Sequence, residues 1–262
     1  MTRYLHLVAI QLRISIASAM AYRANFFMEG ALSALWLATT ILPLKVVFDG
    51  RAAVAGWTAP SALIVVAYFV AVRAILEGMI TPSLADLVTR VRNGSFDYVL
   101  LKPVDAQAMI SASHYEPWRI FDLAGALAIA IYAFVRLGAP PAWPDVALGA
   151  VMFASGVAAA YALWIICAAL AFWVGRIDNL IYLLGAIFDT ARWPVSLLPG
   201  LWRFVFTFVI PLAIMTTYPA QALLGQLHPR TAIETVLGTA VMLGISRLVW
   251  RTAIRSYTSA SS

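Results

Sequence analysis

Apolar stretches long enough to cross a bilayer occupy almost the whole of this 262-residue chain. A helix needs about 20 apolar residues to span ~30 Å of hydrocarbon, and six such stretches fit here with little chain left over. In hydrocarbon each backbone polar group must be satisfied internally, so runs of this length are expected to be helices. Composition agrees: 63% of residues are hydrophobic, 11% are charged and mean hydropathy is +0.87, which a water-soluble domain with a normally charged surface does not show. The expectation is an all-α polytopic membrane protein forming one domain over residues 1–262, with no room for a soluble catalytic or receptor domain.

Residues 4–20 place Leu5, Val8, Leu12 and Ile16 on one stripe, the pattern of a helix lying in the membrane interface, so 1–24 is read as an interfacial segment. Spans are expected at about Phe26–Val47, Ser61–Ile80, Ile120–Leu137, Val146–Val174, Leu180–Leu198 and Ile233–Trp250. The longest polar connection, 81–118, opens with the helix-start signal Thr81-Pro82-Ser83. The fifth stretch is interrupted by Arg192 and Pro194, and the next, Phe204–Tyr218, is short and broken by Pro211. Within 199–230, residues 201–225 are therefore expected to be short re-entrant helices in the outer leaflet, and seven full spans is the alternative count. No leader peptide is read at the N-terminus, which lacks a short apolar core followed by a cleavage site.

A sequence pI near 9.7 does not indicate nucleic acid, because the arginines sit at segment ends rather than on one basic face. Arg247, Arg251 and Arg255 beside the last span favour a cytoplasmic C-terminus by the positive-inside rule, and an even span count then places both termini in the cytoplasm. Most of the nine tryptophans lie near predicted span ends as an aromatic belt. A Trp- and Tyr-lined cavity binding planar or cationic drugs is the less expected use of them. Arg73 and Glu77 form an i, i+4 pair inside the second span, read as a structural pair or as lining a pathway. Glu29 and Asp122 are placed near the inner interface and Asp189 near the outer one, as anchors. The single Cys167 is read as a small buried hydrophobe.

Residues 84–91 put Leu84, Leu87, Val88 and Val91 on one face with Asp86 and Arg90 on another, a short amphipathic helix ahead of the Asn93-Gly94 turn. From Arg92 the chain reads Arg92-Asn93-Gly94-Ser95-Phe96-Asp97-Tyr98-Val99-Leu100-Leu101-Lys102-Pro103. This resembles the R-x-G-x-[LF]-D-x-x-L-L-[KR]-P run between the second and third spans of membrane subunits of ABC type-2 export systems. Arg192-Trp193-Pro194-Val195-Ser196-Leu197-Leu198-Pro199-Gly200 and Arg255-Ser256-Tyr257-Thr258-Ser259-Ala260 agree with the same family, in order and over nearly the whole chain.

The resemblance implies a permease subunit of an ATP-driven exporter in the bacterial cytoplasmic (inner) membrane, moving a small amphipathic or hydrophobic substrate. It implies a coupling helix within Leu84, Leu87, Val88, Arg90, Val91, Arg92, Gly94, Asp97, Lys102 and Pro103. It also implies two copies of an ABC ATPase subunit and a second permease, the same or a related chain, in the lipid bilayer. Lys45 and Lys102 are the only lysines and neither follows glycine, so a Walker loop is excluded; ATP and magnesium would belong to the partner ATPase, with no cofactor or metal expected here. His6, His114 and His228 fall on separate elements, with neither H-E-x-x-H nor G-x-S-x-G present, which argues against a hydrolase. The alternative is an ion- or proton-coupled secondary transporter using Arg73 and Glu77, against which stands the lack of a visible inverted repeat.

Overall fold

The computed structural model describes residues 2–21, 23–174 and 178–257. Met1, Tyr22, Gly175-Arg176-Ile177 and residues 258–262, the last including part of the Arg255–Ala260 motif, lie outside the described residues. Helix α1 (Thr2–Ala21) precedes α2 (Arg23–Phe48), and α3 (Ala59–Ile75) begins at Thr58. There the Thr58 hydroxyl accepts from the Ser61 N–H while Ser61 Oγ accepts from the Thr58 N–H, so two orphan donors of the first turn are met reciprocally.

Thr81-Pro82-Ser83 does not start a separate helix. α3 passes through a π turn, Leu76–Ile80, into α4 (Thr81–Arg92), and Ala59–Arg92 forms one 34-residue rod. The reason lies in the backbone donors. Proline cannot donate to the carbonyl four residues back, which for Pro82 is Gly78, and that carbonyl instead accepts the Glu116 N–H at 2.8 Å. The π turn, in which Thr81 N–H reaches back to Leu76, carries the helix past the proline. The π turn Ala213–Thr217 precedes Pro219 in the same way.

Short helices α5 (Asp97–Leu100) and α6 (Ala106–Ser111) lead to a 3₁₀ turn at Pro117–Arg119 and to α7 (Ile120–Leu137). The long α8 (Trp143–Ala169) continues through α9 (Ala171–Val174). The expected fifth span is not continuous: α10 (Asp178–Phe188) has 11 residues and gives way to 3₁₀ turns at Asp189–Arg192 and Val195–Leu197 around Pro194. Then come α11 (Gly200–Phe204), π turns Val205–Val209 and Ala213–Thr217, and α12 (Tyr218–Leu223). α13 (Pro229–Arg255) closes the order.

Five helical stretches among the described residues are long and apolar enough to cross a membrane: Arg23–Phe48, Ala59–Arg92, Pro117–Leu137, Trp143–Val174 and Pro229–Arg255. They coincide with five of the six expected spans. α3 sits at the centre, packed on α2, α7, α8 and the π turn Ala213–Thr217, and Ile64, Val65, Phe69 and Val72 on it are fully buried. The broken region 211–223 is covered by protein. Leu212, Met215, Thr216 and Ala220 are buried against the rest of the chain, and Thr216 Oγ1 donates to the Ala191 carbonyl at 2.8 Å. Such cover is what irregular backbone at membrane depth requires.

Candidate functional site

Arg73 and Glu77 do pair, with Nε–Oε1 at 2.7 Å, but they are two members of a larger assembly. Arg73 Nη1 also binds Asp189 Oδ1 at 2.6 Å, and its guanidinium lies 3.8 Å from the centre of the Trp36 ring. Glu77 shares its other oxygen with Arg119 Nη2 at 2.5 Å. Arg119 in turn donates through Nη1 to Asp122 at 3.0 Å, and Ser33 Oγ donates to the opposite Asp122 oxygen. Side chains from α2, α3, the π turn, α7 and the turn after α10 therefore meet at one place. Asp189, expected as an anchor near the outer interface, is brought to Arg73 by the 3₁₀ turn that ends α10.

This network divides two cavities. The larger, about 580 Å³, is lined by Glu77, Glu116, Asp189, Trp164, Tyr182 and Phe188 among others. The smaller, about 460 Å³, is bordered by Glu29, Trp36, Trp118 and Asp122, and both share Arg73, Glu77 and Arg119 as a wall. Glu116 is held loosely, its carboxylate 3.5 Å from Arg119 Nε, which makes no hydrogen bond. Burial, with the carboxylates of Glu77 and Glu29 adding to it against the pull of Arg119, holds the Glu116 carboxyl above its ordinary value. Arg119 and Glu116 escaped the sequence reading because charges just before a span look like interfacial anchors.

The 84–103 region divides into an inward and an outward part. The apolar face expected on the amphipathic helix exists, but Leu84, Leu87 and Val88 are buried within the chain itself. α4 packs on α6, α8 and α9, and Val88 clusters with Ala171, Leu170 and Leu180. Arg90 Nε is paired with Asp86 at 2.5 Å. At Gly94 the backbone takes φ +75°, the left-handed region glycine occupies without cost, and the chain turns back. Phe96 then drops into a buried aromatic nest with Phe172, Trp250 and Tyr257, and Val99 is buried beside it. Tyr98 and Leu101 point the other way, 70% and 80% exposed, with Lys102 and Pro103 also exposed.

Two of the motifs thus meet: Tyr257 packs edge-on to Phe96 and donates to the Gly94 carbonyl at 3.4 Å. Burial, and next the hydrogen bond with Asp97, push the Tyr257 phenol above its ordinary value.

A second tie joins α13 to this surface. Arg247 grips Asp105 through both terminal nitrogens and donates to Gln107 Oε1 at 2.6 Å, while Gln107 Nε2 donates to Tyr161 Oη at 3.0 Å. The hydrogen bond from Arg247 holds the Asp105 carboxyl below its ordinary 3.8, against some burial. A carboxylate with a depressed native pKa contributes stability above the unfolded value and loses it as pH falls through the native one. Acidification below about pH 4 is expected to release α13 from α6, and Asp105→Asn to abolish that acid transition. Fluorescence of Trp250 in an otherwise Trp-reduced background, titrated from pH 6 to 3, checks both.

The class defined by these features is an all-helical integral membrane protein whose polar groups are turned inward onto cavities. Within that class the chain belongs to the ABC-2 family of transporter proteins, whose family model matches residues 34–261. A search of curated proteins returns no match. The chain is accordingly a membrane-spanning permease subunit of the exporter type, not itself the catalytic component, in a family whose members generally pair with an ABC ATPase.

Proposed function

We propose that this chain forms the translocation path of an ATP-driven exporter for a small amphipathic or hydrophobic molecule, a drug, toxic organic compound or lipid-like substrate. Two copies of a separate ATPase subunit, which hold the ATP and magnesium, act on it from the cytoplasm. A second permease, identical or related, completes the complex in the bacterial cytoplasmic membrane. Both termini face the cytoplasm, and the broken stretch 178–198 serves as the sixth crossing, with 199–230 dipping into the outer leaflet.

The observation that carries this reading is the continuity of the Ala59–Arg92 rod. At 1.5 Å per residue, 34 residues reach about 51 Å, well beyond ~30 Å of hydrocarbon. One end is capped at Thr58 and the other, past the Gly94 turn, leads into the exposed Tyr98–Pro103 knob. Phe96 N–H donates to the Arg90 carbonyl at 3.2 Å and its ring packs on Phe172 of α9, which α4 also touches, so a force on Tyr98 or Leu101 reaches the rod without being absorbed by the loop. Along the rod lies the π turn that bears Glu77, beside the charged cavity. The coupling surface is therefore assigned to Tyr98, Leu101, Lys102 and Pro103, supported from behind by Leu84, Leu87 and Val88, with Arg92, Gly94 and Asp97 shaping the turn.

Affinity purification of the chain from its native membrane in mild detergent, with mass spectrometry of what accompanies it, is expected to recover a stoichiometric ATPase subunit. Purification of the chain alone, reproducibly, would overturn the exporter reading in favour of an ion-coupled carrier built on Arg73 and Glu77. Loss of one exposed anchor typically costs a docking surface about 2 kcal/mol, roughly thirty-fold in affinity. Leu101→Asp is thus expected to abolish ATPase recovery at normal chain yield, whereas Asp97→Ala leaves the knob in place and lowers substrate-stimulated ATPase activity.

A further inference from the structure

The two cavities do not balance their charges. Among the described residues, Arg73 and Arg119 are the only cations on either wall, against Glu29, Glu77, Glu116, Asp122 and Asp189. Arg192, whose guanidinium Nη2 lies 3.9 Å from Asp189, compensates part of this surplus from outside. An excess of negative charge in a partly desolvated place is costly unless something positive shares it. The arginines offer little to an anionic ligand. Arg73 is committed to Glu77 and Asp189 and stacked on Trp36, and Arg119 to Glu77 and Asp122.

The larger cavity has the other half of a cation site. Its volume of about 580 Å³ lies within the range of small-molecule pockets. Trp164 and Phe188 form a wall in which the rings meet edge to face, 6.1 Å between centres, and Tyr182 stands at the mouth with 78% of its surface exposed. The Trp164 indole N–H is used by Thr81 Oγ1 at 3.1 Å, which fixes the ring. Aromatic faces carry partial negative charge and attract a desolvated cation over the ring. A bare metal ion does not suit the place: among the described residues no three His, Cys, Asp or Glu side chains are grouped to hold one. Access is open along α10, where the space beside Gly185 is empty to 4 Å from the position a Cβ would take.

We propose that the cavity between Glu116, Glu77, Trp164 and Tyr182 is a binding site for a monovalent organic cation with aromatic or lipophilic substituents. Glu116 is its counter-ion, because of the three carboxylates on the larger cavity it is the least engaged, 3.5 Å from Arg119 where Glu77 and Asp189 are held at 2.7 Å or less. This rests on the permease reading for its place in a transport cycle, but the site itself is a property of this chain alone.

The test uses the full chain in phosphatidylcholine nanodiscs and tritiated tetraphenylphosphonium, a permanent cation that takes up no proton. Saturable binding is expected, with neutral triphenylphosphine oxide at least tenfold weaker as a competitor. Glu116→Gln should raise the dissociation constant about tenfold, the factor that 1.4 kcal/mol of lost ion pairing corresponds to. Gly185→Leu, which fills the mouth without changing charge, should abolish binding. Glu234→Gln, at the exposed Arg230–Glu234 pair on α13, should bind as the parent does. Monodisperse gel filtration of each variant separates lost binding from lost folding. No saturable binding, equal affinity for the neutral compound, or parental affinity in both cavity variants would each overturn the site. Because no ATPase is present, absence of binding would leave co-purification of an ATPase unaffected, and failure of co-purification would leave the binding result standing.

Discussion

Glu77→Ala is expected to lower the thermal midpoint of the detergent-solubilised protein by roughly 5 to 10 °C, corresponding to about 2 to 4 kcal/mol for a chain of this size. The effect is large because Glu77 is shared. One oxygen binds Arg73 at 2.7 Å and the other Arg119 at 2.5 Å, so its removal leaves two guanidinium groups facing each other across an empty space. Breaking a fully buried pair costs more, but Arg73 and Glu77 keep 21% and 28% of their side-chain surface exposed, which screens part of the loss. Glu77→Gln retains an acceptor for one arginine and should lose about half as much. Differential scanning fluorimetry on Cys167, through a thiol-reactive dye, reads the transition, since that thiol is buried until the helices part. A midpoint for Glu77→Ala within a degree of the parent would show that the network contributes nothing to holding α3, α7 and α10 together.

Gly156→Ala is expected to be the more damaging change, although it adds one methyl group. A Cβ at Gly156 would stand 2.9 Å from the Ile214 carbonyl oxygen and 3.0 Å from Met215 Cα and its carbonyl oxygen. All three are backbone of the π turn Ala213–Thr217, itself fixed by Pro219 and by the hydrogen bond from Thr216 to Ala191. Neither side has a rotamer to move, so the strain of overpacking, about 1 to 3 kcal/mol in ordinary cores, should lie at or above its upper end. Gly149→Ala on the same helix face supplies the comparison. Its closest conflict, at 2.9 Å, is with the hydroxyl end of Tyr68, a side chain that can swing, though Leu223 Cβ at 3.3 Å keeps the fit tight. The expected result is an aggregated fluorescence gel-filtration profile for Gly156→Ala and a monodisperse, modestly less heat-resistant Gly149→Ala. Equal behaviour of the two would mean that α8 and the π turn are not in the contact described.

Much of the architecture was legible from residues 26–47, 120–137, 146–174 and 233–250, because length and apolar content alone decide whether a helix satisfies the bilayer. The charge pair Arg73–Glu77 was legible too, since i, i+4 spacing is a local property. The rod Ala59–Arg92 was not. A Thr-Pro-Ser triplet signals a helix start in an isolated segment, and only the Gly78 carbonyl finding the Glu116 N–H makes the continuous alternative stable. The apolar face of α4 was correctly recognised as apolar, but nothing in its periodicity says whether lipid, a partner or the chain's own α8 and α9 will cover it.

The charged cavity marks the same boundary more sharply. Arg73 and Asp189 are 116 positions apart, and Arg247 and Asp105 are 142 apart. What the sequence by itself determined is the solvent of this protein, the helical state of its long segments, the absence of a Walker loop and the three motifs that mark its family. Those follow from composition and from interactions within a few residues. Only the tertiary structure decided which carboxylates share an arginine, which face of the 84–103 region looks outward, and that the surplus negative charge faces aromatic rings. Coulomb and packing energies depend on distances through space, and chain separation leaves those distances undetermined until the helices are docked.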